Sequence, residues 1–195
     1  MKNPHLATLL AAVSSCFLLC AAPAQSAEKK TPSAAELRAQ LAKDVPATIA
    51  TFKQADPGIE RFFKESAGYV VFPRIGKVGL IFAGGDGSGE VYEKGGLVGT
   101  ASITFGSVGL QVGAQEFSQI VFFKDGAALE RFKQNKFEFT ANVSAVIVKA
   151  GASAGADYRD GVAVFTRPRS GAMVEAALGT QKFKFSAETA ADAKK

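Results

Sequence analysis

Three pairs of basic residues sit where their chemistry could be used. Arg74 and Lys77 flank Ile75-Gly76 between two predicted strands, Arg167 and Arg169 bracket Pro168 in a predicted turn, and Lys182 and Lys184 share one face of the last predicted strand. A guanidinium presents two parallel N–H donors that match a phosphate, and backbone amides at glycine turns can add more. The chemistry on offer is therefore capture of an anionic, phosphate-like group. Any soluble protein also carries solvated lysines and arginines, so convergence in space is what would distinguish a site from a surface.

Other chemistries are poorly supplied. The only histidine, His5, and both cysteines, Cys16 and Cys20, fall in the first twenty residues. If that segment is removed, the remaining chain has no imidazole and no thiol. Ser-His-Asp and Cys-His catalysis and the common zinc sites are then excluded. No Gly-Lys-Ser/Thr occurs, Gly85-x-Gly87-x-Gly89 lacks dinucleotide-fingerprint spacing, and Asp86 with Glu90 is too sparse for a calcium loop. The carboxylate pairs Asp125/Glu130 and Asp157/Asp160 are explained by helix-cap and turn contexts. No catalytic residue, metal site or cofactor is assigned. The expectation is a binding protein, not an enzyme. A formal charge of +5 permits contact with an anionic surface but does not announce a nucleic-acid binder.

The elements that must position the basic pairs are mostly strands. Thirteen of the twenty glycines fall between Gly68 and Gly113, interleaved with short Val/Ile/Phe runs that read as antiparallel strands with tight turns. Tyr69–Pro73 is the first, Val78–Phe82 follows, and Gly84–Gly89 is read as a turn into Glu90–Glu93. The apolar phase changes between Ile103/Phe105 and Val108/Leu110, which predicts a bulge at Gly106. Ile120–Phe123 is a buried run, Phe137–Ile147 one long alternating strand, and Val162–Thr166, Met173–Leu178 and Lys182–Phe185 complete the set. Ser33 and Glu36 form a capping box that starts a helix, with Leu37, Leu41, Val45, Ile49 and Phe52 on one face and a kink or break near Pro46. Asp56-Pro57 opens a short helix, and Asp125 caps another carrying Leu129 and Phe132 inward. So many antiparallel strands tend to curl and close. The expected fold is α+β, an antiparallel β-barrel-like core with two or three helices packed outside.

Residues 1–26 read as a leader: Lys2, an apolar Leu6–Ala22 run, and small-x-small cleavage options at Ala22–Ala24 or Ala24–Ser26. Val13-Ser14-Ser15-Cys16 also resembles a lipobox, which would make Cys16 an acylation site. Both readings export the protein, either to the periplasm or to a membrane as a lipoprotein. Residues 27–32 form a linker, 33–186 the domain and 187–195 a flexible tail.

GYVVFP, GKVG and GLQVGAQEFSQIVFF, followed by DGAALERF, ANVSAVIV and GVAVFTRPRSGAMVEAALGTQKFKF, resemble the SYLF domain family over about Ser33 to Phe185. The resemblance implies a lipid-binding module: eukaryotic relatives engage phosphoinositides, and some fungal ones bind actin filaments. The sequence is similar to the exported bacterial members, for which a β-barrel-like core with packed helices is the implied fold. No SH3 or FYVE companion segment is present, so actin is not an expected partner. Anionic phospholipids or a membrane surface are the expected partners, and an envelope scaffold that binds another protein is the alternative.

Overall fold

The computed structural model describes residues 32–79, 82–108, 114–136, 138–139, 145–170 and 180–188. The leader with Cys16, the segment Met173–Leu178 and the end of the tail lie outside the described residues. All described residues belong to one unit, Pro32–Lys195.

Helix α1 (Ala34–Ala55) starts at the expected capping box: the Glu36 amide donates to Ser33 Oγ at 3.2 Å, and the Ser33 amide to Glu36 Oε2 at 2.8 Å. It runs through Pro46 without a break, so of the expected kink or break the break does not occur. Pro46 deprives the Ala42 carbonyl of its helical donor, but both residues are solvent-exposed, so water can serve instead. Asp56 then caps a 3-10 turn, Pro57–Ile59, that leads into α2 (Glu60–Glu65).

One mostly antiparallel sheet follows: β1 (Gly68–Gly79), β2 (Phe82–Glu93), β3 (Gly96–Val108), β4 (Ala114–Phe123), then helix α3 (Gly126–Lys133), then β5 (Glu138–Phe139), β6 (Ala145–Ile147), β7 (Val162–Ser170) and β8 (Thr180–Ala187). The strand order is β5-β8-β3-β2-β1-β4-β7-β6, with only β6 and β7 parallel. The fold is α+β as expected, but the sheet is not a closed barrel: β5 and β6 end the order and do not pair with each other.

The open sheet is nonetheless strongly curled. Gln119 Nε2 on β4 donates to Gln181 Oε1 on β8 at 3.1 Å, although four strand steps would separate those strands by about 19 Å in a flat sheet. The residues expected to form one long strand end up at opposite edges, Phe139 beside Gln181 and Ala145 beside Val164. Six residues of chain reach at most about 20 Å, whereas the edges of a flat eight-stranded sheet would be about 34 Å apart. Curling therefore brings the two edges towards each other.

The curl gives the sheet two different faces. The concave side gathers Val70, Phe72, Ile75, Ile103, Phe117, Val121, Phe123 and Phe183, with α3 adding Ala128, Leu129 and Phe132. On the convex side, α1 and α2 place Leu41, Val45, Phe52 and Phe62 over Val71, Ile120, Phe122 and Phe165. The Phe122 ring is tilted or edge-on to Phe62, Phe63, Tyr69 and Phe165, with centroids 4.8 to 5.9 Å away.

Register shifts interrupt the ladders, two of them beside basic residues. In β1, Val71 pairs with Glu90 and Arg74 with Ser88, while on the other edge Phe72 pairs with Gln119 and Ile75 with Phe117. One extra residue has been inserted at Pro73, where a missing N–H costs the ladder nothing. The expectation that pairing ends at Pro73 is thus corrected: β1 bends there and continues to Gly79. A similar insertion in β7 places Phe117 opposite Pro168 and Glu116 opposite Ser170, leaving Arg169 as the extra residue.

Gly84–Gly89, expected as a turn, lies inside β2. A Cβ on Gly89 would collide with the Val71 carbonyl and sit 2.8 Å from the Phe72 ring, so glycine here admits the bulged strand alongside. The expected bulge at Gly106 is absent, since β3 keeps continuous register from Gly99 to Val108 and shifts instead between Val91 and Tyr92.

Candidate functional site

Strand alternation and register decide which basic residues share a face. Upstream of the Pro73 bulge, Val70 and Phe72 face the concave core and Val71 the convex one; downstream, Ile75 returns to the concave side. The extra residue thus puts Arg74 and Gly76 on the convex face. On β2, Val91 faces inward and alternation sends Ser88 and Asp86 outward. On β3, inward Ala101 and Ile103 leave Ser102 and Thr104 outward. On β8, inward Phe183 leaves Lys182 and Lys184 outward, and on β7 Phe165 and Arg167 share the convex side.

These positions line up across the sheet. Lys184 pairs with Ser102, Ser102 with Ser88, and Ser88 with Arg74. On the next strand Ser118 lies at the level of the bulge and pairs with Arg167. The result is a row of three cations with the Ser102 and Ser88 hydroxyls and the buried Ser118, spanning five strand steps, about 24 Å. Arg74 and Lys184 are exposed and Arg167 is half-buried. The helices cover the neighbouring level, where Val71, Ile120 and Phe165 are buried, and a helix is about 10 Å thick. The row consequently runs along the foot of a step.

Arg169 joins from the second bulge. Its Nη1 donates to the Pro73 carbonyl at 3.2 Å, and Ser118 Oγ donates to the same oxygen at 2.8 Å. The two bulges are thereby tied across β4, with Arg169 drawn towards Arg74. The Arg167–Ser170 stretch, expected as a turn, belongs to β7. Lys77 pairs with Gly85 and Gln115, one register position beyond Gly76. Lys182 lies one level beyond Lys184 and is exposed.

That second level has a different character. Lys182 pairs with Thr104, Thr104 with Asp86, Asp86 with Gly76, and Gly76 with Glu116. A Cβ on Gly76 would meet nothing within 4 Å, so the floor between the two acids is open. The acids could have been picked out in the sequence by their outward parity, but only once the bulge was known.

At the border with the covered half, Glu90 is 5% exposed and its Oε2 accepts the Tyr92 hydroxyl at 2.6 Å. Burial raises its pKa against the opposing effect of the Tyr92 hydrogen bond, and the charge of Glu188 raises it further. Among the described residues, no group of His, Cys, Asp or Glu is arranged to hold a metal, and no helix is long and apolar enough to cross a membrane.

No curated protein matches the chain significantly. Residues 104–192 match the model of the family described as Ysc84, Las17-binding protein actin regulator. The match begins in the middle of β3 and contains β4, β7 and β8, with Arg167, Arg169, Lys182 and Lys184. Arg74 comes from the part before it. Over residues 104–192 the chain is thus similar to the Ysc84 (SYLF) domain family.

Proposed function

We propose that the chain is a non-catalytic binding module that holds anionic lipid head groups at a bacterial envelope membrane. The observation that carries this reading is the outer row, which brings Lys184, Arg74 and Arg167 onto one face with Ser102 and Ser88 among them, while the buried Ser118 braces the bulge beneath. Guanidinium, ammonium and hydroxyl groups together are donors for phosphate oxygens. The SYLF resemblance points to the same ligand class, and the leader read from the sequence supports an exported site of action.

The family description also names a protein partner, which supports a second reading as a protein-interaction domain. Protein interfaces usually centre on apolar and aromatic side chains. The outer rows offer none, and Leu97, on β3 away from them, is the only exposed large hydrophobic residue among those described. That contrast favours the lipid.

Co-sedimentation of the full chain with anionic and neutral vesicles over a salt series tests the proposal. Binding to anionic vesicles that weakens as salt screens the charges is expected. Equal binding to neutral vesicles, or none to either, would refute it. Mass spectrometry of the native N-terminus distinguishes acylation at Cys16 from cleavage near Ala24.

A further inference from the structure

We infer that the outer face is built for a head group that carries both a phosphate and a primary ammonium, the phosphoethanolamine type, presented on a membrane. This rests on the lipid reading above and deepens it. Two levels of opposite character lie side by side on the same face. The first is basic and hydroxylated, with Arg74 on the central strand. The second places Asp86 and Glu116 on the strands either side of Gly76.

Arg74 and Gly76 are two residues apart on β1, a separation of about 6.6–6.8 Å. A phosphate held by the guanidinium and an ammonium held between the carboxylates are joined by a two-carbon arm, which that separation suits. Asp86 and Glu116 form no ion pair among the described residues. Gly76 has open space where a side chain would stand, so nothing fills the gap between the two acids.

For a purely anionic ligand, two carboxylates at this position would be repulsive. For an ammonium they are acceptors, since a primary ammonium has three N–H donors and a quaternary one has none. That difference separates ethanolamine from choline at equal net charge. It also explains why acidic side chains would occur beside a basic row on a face that reads anionic lipids.

The test uses the full chain and two vesicle sets with the same fraction of phosphatidylglycerol, one completed with phosphatidylcholine and the other with phosphatidylethanolamine. Wild-type protein is expected to bind the ethanolamine set roughly three- to tenfold more tightly, the range for two modest surface ion pairs. The double variant Asp86→Asn, Glu116→Gln should lose that increment while still binding phosphatidylglycerol vesicles at least as well as wild type. Both residues are at least partly exposed, and an unchanged thermal melt would confirm that the variant is folded. Equal wild-type binding to the two sets overturns the inference but leaves the lipid reading standing. An increment that survives in the double variant also overturns it, because the preference would then come from the bilayer. Loss of all phosphatidylglycerol binding in wild type overturns both.

Discussion

The convex face of the sheet is one surface with two fates. Its lower levels, Tyr69/Phe122 and Val71/Ile120/Phe165, are apolar and covered by α1 and α2. The next levels, facing the same way, carry Arg74 and Arg167, then Asp86, Gly76 and Glu116. Strand pairing holds both halves in place equally. What differs is whether the outward side chains are removed from water. The covered half should therefore control stability with little effect on ligand, and the open half the reverse.

The largest effect that would sharpen this contrast is Phe122→Ala. Its ring contacts Phe62, Phe63, Tyr69 and Phe165, and truncation should cost about 3–5 kcal/mol in denaturant unfolding. Vesicle binding per folded molecule should be unchanged; a fall in it would break the division between the halves.

Asp56→Ala comes next. This residue is 2% exposed, and its carboxylate accepts from the Ser153 amide at 2.6 Å and the Gly58 amide at 3.2 Å. Burial by itself would raise its pKa, but the hydrogen bonds from Ser153, Gly58 and Gly151 outweigh this and the net shift is downward. Its stabilisation is accordingly present above the ordinary value of 3.8 and is lost as pH falls through the lower folded value. The variant should lose about 2–3 kcal/mol at neutral pH, the cost of orphaning buried donors to a charged group, and show a weaker acid dependence of unfolding.

In the open half, Arg74→Ala with Arg167→Ala should weaken binding to anionic vesicles roughly tenfold at low salt, with the difference shrinking as salt rises. Unfolding should shift by no more than about 0.5 kcal/mol. Lys182→Ala and Lys184→Ala should matter less, because the curl turns β8 away from a flat membrane centred on β1. An equal loss from the lysines would show that the whole row is engaged.

The smallest effect concerns the border. Because the folded pKa of Glu90 is raised, stability is greatest below its ordinary value of 4.5 and declines as pH rises through the folded value. Glu90→Gln should remove that decline, so the variant should gain on wild type in thermal melts as pH increases from acid to neutral.

Local signals read well in the sequence. The Ser33/Glu36 box and the Asp125 cap, which accepts the Ala128 amide at 2.9 Å, involve partners three residues apart. Asp56 was legible as a cap for the same reason. Its bond to Ser153 was not, since that partner is 97 residues away. The β2 glycines looked like a turn because a sequence does not show which backbone will lie alongside; Gly89 answers to a bulge in another strand. The expected strand from Phe137 to Ile147 has the right alternation, yet its described ends pair with β8 and β7 at opposite edges. Of the six basic candidates, alternation places Arg74, Arg167, Lys182 and Lys184 on the convex side, and Arg169 reaches towards it. The acids beside them carried no signal until the strands were in register.

The extra residue at Pro73 acts as a frame shift written in backbone. Upstream, even-numbered side chains face the concave core; downstream, odd-numbered ones do. Deleting Pro73 would therefore do something no substitution can: Arg74 would follow Phe72 directly, still outward, and Ile75 would stay inward, so the bulge would go while every other residue kept its identity and its face. Insertions and deletions in β1 and substitutions in the row thus report on different things, the former on the frame that presents the chemistry and the latter on the chemistry itself.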